Sequence, residues 1–168
     1  MAEIPGSSAV LASPAVVRVT EALRAAGIDS PIVELPGAAR TAKLAAQFLG
    51  CEVGQIANSL VFRGGATGTP ILVMSSGARR VDTGKLAAIV GEAVGKADAD
   101  FVRTATGFAI GGVAPAGHTG RLRAFVERSL AAYGTVWAAA GHPNTVFQLA
   151  YGDLVRITGG GEIDAAQD

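Results

Sequence analysis

Cysteine occurs once in the 168 residues, at Cys51, and histidine twice, at His118 and His142. A lone thiol excludes an internal disulfide framework and any multi-cysteine metal site, and it points to a reducing, cytoplasmic compartment. Two histidines are too few for a zinc cluster or a histidine relay. No metal and no cofactor are therefore expected. Charged residues make up only 17% of the chain against 49% hydrophobic, a balance that excludes an intrinsically disordered chain. No basic segment followed by an apolar core opens the sequence, and no 18-residue apolar run is free of charge. Neither an export signal nor a membrane span is expected.

Net charge is also missing: 14 basic residues meet 14 acidic ones. Glu162, Asp164 and Asp168 cluster at the end, which leaves residues 1–161 with 14 basic and 11 acidic side chains, a net of +3. That is compatible with a nucleic-acid partner but far from the footprint of a dedicated binder. Arg40, Lys43, Arg63, Arg79, Arg80, Arg121 and Arg123 are the candidates for phosphate contact, with solvated surface as the default.

Glycine is what the chain has in excess, 23 residues, with no every-third-residue period that would make it collagen. The surplus belongs to turns, helix ends or close backbone contacts with a ligand. Residues 1–12 read as a loose arm. Ser13-Pro14 starts a helix that places Val16, Val19 and Leu23 on one face and ends at Gly27. Ile32 to Leu35 reads as a short strand. Thr41 caps a second helix with Leu44, Ala45, Phe48 and Leu49 as its buried stripe. Leu60-Val61-Phe62 is a buried strand, turned through Gly64–Pro70 into Ile71–Met74 as a hairpin. Asp82 or Thr83 caps a third helix, with Leu86, Ile89 and Val90 inward. Ala97 to Thr104 forms a short helix. Strands follow at Leu122–Glu127, Thr135–Ala140 and Thr145–Leu149, then a helix over Asp153–Thr158. The acidic tail, 159–168, adds an edge strand. The expected fold is α+β, a mixed, partly barrel-like sheet flanked by helices, with 1–168 as one domain.

Several motifs fail on inspection. Gly64–Thr69 follows a strand but lacks the Lys-Ser/Thr of a phosphate-binding loop and leads into another strand. Ser75, Ser76 and Ser129 lack the nucleophile elbow. Cys51 reads as a small core residue, and Asp98 and Asp100 point to different sides of a helix.

Two segments resist this sorting. Gly50 to Arg63 places polar Asn58 and Ser59 at the mouth of a strand, where a turn that satisfies local backbone groups is the plain alternative. Gly107 to His118 carries glycines at 111, 112 and 117, which let backbone approach a ligand, and Pro115, which stiffens the loop. Its N–H groups can hold a carbonyl or phosphate oxygen.

These segments, with Glu34-Leu35-Pro36, Thr41-Ala42, Ile56 to Phe62, Gly111 to His118 and Thr135 to Asn144, resemble the YbaK/EbsC family of aminoacyl-tRNA deacylases. That family is related to the editing domain inserted into bacterial prolyl-tRNA synthetases. The resemblance runs from about Ile32 to Thr158. It implies a mixed, partly closed sheet flanked by helices and hydrolysis of the ester that joins a wrong amino acid to tRNA. It also maps the family's G-x-x-x-P loop onto Gly111, Gly112, Val113, Ala114 and Pro115, whose amides would hold the scissile carbonyl. The family places a lysine just before the Ser/Thr-Leu of the first segment. This chain has Asn58, a donor without charge; Lys43 and Lys85 are the cations that would have to replace it.

The resemblance therefore implies a trans-acting deacylase acting on a mischarged tRNA that carries a small amino acid, with Asn58 and residues 111–115 catalytic and Ser59, His118, His142 and Asn144 substrate-binding. For His118 a loop hydrogen bond, and for His142 and Asn144 a turn between strands, are the alternatives. Trp137 reads as core. Mischarged tRNA and an aminoacyl-tRNA synthetase are the implied partners. The alternative function is a binding module that holds an aminoacyl-tRNA or aminoacyl-adenylate without hydrolysing it.

Overall fold

The computed structural model describes residues 9–37 and 41–168. Residues 1–8 of the expected arm and Arg40 lie outside the described residues; residues 9–12 form turns that lead into the first helix. That helix, α1 (Pro14–Ala25), starts where cap chemistry dictates. The Ser13 side chain accepts from the Val16 N–H, proline takes the first turn, and Gly27 follows the end at φ +72°. Val16, Val19 and Leu23 are buried.

After the two-residue strand β1 (Val33–Glu34), Thr41 caps α2 (Ala42–Leu49). Its inward stripe is Ala42, Ala45, Ala46 and Leu49. Phe48 was expected inside but is 41% exposed. It precedes Leu49 by one residue and so is turned about 100° from the stripe.

A 3-10 turn (Val53–Gln55) leads into β2 (Ile56–Gly64). Asn58 and Ser59 thus sit inside the strand rather than in a turn before it. Leu60, Val61 and Phe62 are half-buried rather than fully buried. The glycine-rich turn connects β2 to β3 (Pro70–Ser76) as an antiparallel hairpin. The Glu92 carboxylate accepts from the N–H groups of Ala66 and Thr67, at 3.0 Å each. Bonding to Thr67 holds its pKa below the ordinary carboxylate value.

Asp82 caps α3 (Thr83–Val90). Leu86 is buried at its centre, but Ile89 lies outside the contact and is exposed. The short strand β4 (Val94–Lys96) was not expected. Asp98 then caps α4 (Ala99–Thr106), which begins two residues later than its spacing suggested because the aspartate serves as cap and not as a helical residue. The glycine-rich loop follows, then β5 (Arg123–Glu127), β6 (Thr135–Ala139), β7 (Thr145–Ala150), α5 (Tyr151–Thr158) and β8 (Gly161–Ile163).

The sheet runs in the order β1-β7-β6-β2-β3-β5-β8, with β4 also paired to β2. It is mixed: β2 pairs antiparallel with β3 and β4, while β2·β6, β3·β5 and β5·β8 are parallel. The acidic tail supplies the edge strand β8, as expected. Alternation along β2 distributes its side chains. Ala57 and Val61 enter the main core with α1, α4 and α5; Ile56 packs under α2; Leu60 and Phe62 pack with α3. No helix among the described residues is long and apolar enough to cross a membrane.

Candidate functional site

The sheet opens at β2. Gly64 donates its N–H to Thr69 O, and Gly77 donates to Ile56 O, so the even-numbered residues of β2 turn their peptide groups toward β3. The odd-numbered ones turn toward the other edge. There Ile56 and Ala57 pair with β6, and Phe62 to Gly64 pair with β4. Ser59 falls between the two ladders, and its N–H and C=O have no strand partner. An unpaired peptide group inside a sheet is costly unless something binds it.

A cavity of about 290 Å³ lies against this gap. Asn58 and Ser59 line it from β2, Thr41 and Ala45 from α2, Trp137 from β6, and Gly111 and Val113 from the glycine-rich loop. No described lining residue carries a charge. A smaller space of about 140 Å³, lined by Ile110 and Val102, adjoins it and shares Ser59, Gly111 and Val113.

Glycine is required where the loop meets its neighbours. Gly111 has φ +88°, a conformation that side chains disfavour. A Cβ on Gly112 would lie 2.9–3.0 Å from the backbone of His142. The loop is held from α1: Arg18 donates to Gly107 O at 2.7 Å and to Gly117 O at 3.2 Å, and its guanidinium lies 5.1 Å from the Phe108 ring centre. Sequence reasoning passed over Arg18, since one arginine on an amphipathic helix carries no spacing signal.

Val113, Ala114 and Pro115 are buried. His118 lies within the same loop, its Nε2 2.7 Å from Ala114 O and its ring edge-on to Phe108. It does not line the cavity. His142 Nδ1 accepts from the Asn144 N–H at 3.0 Å, which makes the turn between β6 and β7. Neither residue lines the cavity, although Pro143 and Thr145 beside them do. Trp137, expected in the core, packs against the small cluster of Ala45, Ala46 and Ile56 and also lines the cavity, while its neighbours Val136 and Ala138 belong to the main core.

The bond to Ala114 O requires an Nε2–H. Burial pushes the His118 pKa below the ordinary 6.5, against the opposing effect of that bond. Folding therefore favours the neutral ring. The stability this supplies is full above pH 6.5 and is lost as the pH falls below it. Each unit between folded and unfolded pKa is worth about 1.4 kcal/mol. Denaturant midpoints at about pH 7.5 and about pH 5 are expected to differ less in His118→Gln than in the parent.

Cys51 is half-buried, and burial pushes its thiol pKa up, the opposite of an activated nucleophile. Lys85 bonds to Ala166 O and Asp168, and Lys43 is exposed on α2; neither lines the cavity. Arg63 and Arg123 lie over Phe101 and Phe125, while Arg79, Arg80 and Arg121 are exposed. Among the described residues, no group of three or more His, Cys, Asp or Glu is placed to hold a metal ion.

Known proteins resemble the chain in sequence and fold. Residues 37–157 match the family model of the aminoacyl-tRNA editing domain. The crystal structure of a proposed trans-editing enzyme for prolyl tRNA synthetase is 43% identical, with a TM-score of 0.86 over 93% of this chain and 99% of that one. A hypothetical protein of known structure is 26% identical, with a TM-score of 0.82 over 89% of this chain and 99% of that one. The uncharacterized protein YwhH of Bacillus subtilis (strain 168) is 29% identical over 130 residues, 77% of this chain and 82% of the relative.

Proposed function

The chain belongs to the aminoacyl-tRNA editing domain family, and we propose that it acts as a trans-acting deacylase, a single unit that hydrolyses the ester of a mischarged tRNA carrying a small amino acid. One observation carries this reading: the break in the sheet that brings an unpaired Ser59 peptide, Asn58, Gly111 and Val113 to one cavity with no charge among its described lining residues.

An aminoacyl ester is an activated substrate, so holding it beside a water and stabilising the oxyanion suffices. The Gly112 N–H is engaged by Ala109 O, and Pro115 has none. Ala114 does not line the cavity, so the donors for the scissile carbonyl are the N–H groups of Gly111 and Val113, with Asn58 as a side-chain donor. Water adds to the carbonyl carbon, the bond to the ribose oxygen breaks, and that oxygen leaves with a proton from the water. Ser59 offers its C=O to the substrate ammonium. His118, His142 and Asn144 act by holding the loop and the facing turn in place. The partners in this reading are mischarged tRNA and the synthetase that produces it.

The absence of charge among the described lining residues favours a second reading, a module that binds an aminoacyl-tRNA or aminoacyl-adenylate without hydrolysing it. A panel of mischarged tRNAs separates the two. Release of amino acid above the buffer rate, fastest for small residues, is expected. Binding without release from any tRNA in the panel selects the module.

A further inference from the structure

Directly across the strand pair from Asn58, β3 carries a buried hydroxyl with nothing to bond to. Ser75 is 1% exposed, and its Oγ has no hydrogen-bond partner among the described residues. The register pairs it with Asn58, and both belong to the set that exchanges peptide hydrogen bonds. Such partners have Cα atoms about 5.5 Å apart and side chains on one face, within reach of each other. The other neighbours on that face are Val73 and Gly77 along β3 and Ile56 and Leu60 along β2, none with a polar side chain. On the far side, the β3·β5 ladder ends at Met74↔Val126, one residue short of Glu127. Glu127 Oε2 accepts from the Ser129 N–H at 2.9 Å at its own strand end, and the Ser75 hydroxyl is not bonded to this carboxylate.

We propose that Ser75 is a positioning residue for Asn58. Rotation about the side-chain torsions lets the Ser75 hydroxyl donate to Asn58 Oδ1, which turns the Nδ2 protons toward the cavity. An ammonium at this place would need no such partner, because every one of its protons is a donor. A carboxamide has a donating and an accepting end, and only one of its two orientations offers donors to an oxyanion. The buried hydroxyl selects that orientation. The inference rests on the deacylase reading for what Asn58 does to substrate, but not for the contact itself.

The test is a double-mutant cycle on single-turnover deacylation, read together with the Asn58 side-chain amide resonances. Those resonances are assigned by their loss in Asn58→Ala. Ser75→Ala is expected to slow the parent about 10-fold, the worth of one neutral hydrogen bond. It should leave KM unchanged and have no effect in the Asn58→Ala background. Ser75→Cys, similar in size but a weak donor, should behave like Ser75→Ala, and both should shift the Asn58 amide pair. Equal rate losses in both backgrounds, or an unmoved amide pair in both Ser75 variants, overturns the contact. If the parent releases no amino acid, the deacylase reading fails, and the amide pair still decides the contact.

Discussion

Asn58→Ala is expected to slow deacylation by about 10²–10³-fold, the usual cost of removing one donor aimed at a developing oxyanion. The loss should appear in the single-turnover rate of amino-acid release, with a smaller change in thermal midpoint, because Asn58 is half-buried and lines the cavity. Asn58→Lys restores a donor and adds the charge that the resembling deacylases place here. In a working deacylase its rate should stay within about 10-fold of the parent, since the carboxamide already serves. A module without chemistry gives the opposite pattern: alanine changes nothing and lysine creates activity. The pair of variants thus reports whether an uncharged donor is sufficient at this position.

Gly112→Ala is expected to damage stability and activity together. The added Cβ would sit 2.9 Å from the His142 Cα and 3.0 Å from its C and N. Backbone stands on both sides, so no flexible side chain can swing away. Either the loop or the turn between β6 and β7 must move. Overpacking of this kind costs about 1–3 kcal/mol. A chain of this length then loses roughly 2–4 °C of thermal midpoint per kcal/mol. A shift of about 1 Å in the Gly111 and Val113 donors would cost a further 10²-fold in rate. Gly134→Ala, where an added Cβ meets nothing within 4 Å, is the control and should leave both quantities unchanged.

Helix starts and stops were legible because their chemistry is local. Ser13-Pro14, Thr41 and Asp82 cap helices where capping preferences place them, and Gly27 and Gly50 follow helix ends at positive φ. The glycine-rich turn between β2 and β3 was legible for the same reason. β4 was not: three residues with a central glycine form a strand only because β2 leaves an edge for them at Phe62–Gly64. The stripes of α2 and α3 are narrower than helical spacing suggests, since Phe48 and Ile89 satisfy that spacing but remain 41% and 39% exposed. At the site, Asn58, Ser59 and Gly111 could be singled out from local pattern and resemblance. Trp137 could have been placed by the alternation of β6, with Val136 and Ala138 on the core side. Arg18 and Ser75 could not, because their roles depend on which strand or loop the fold lays beside them.

The clasp formed by Arg18 ties the site to a part of the chain that precedes the matched span of residues 37–157. Both anchors of the glycine-rich loop, Gly107 and Gly117, are fastened to one side chain on the first helix. Gly117 and Gly141 also approach that helix so closely that a Cβ on either would press on its backbone. The first helix thus braces the glycine-rich loop although none of its residues lines the cavity. A fragment trimmed to the family span would lack that clasp together with the Val19 and Leu23 side chains that the first helix places in the main core.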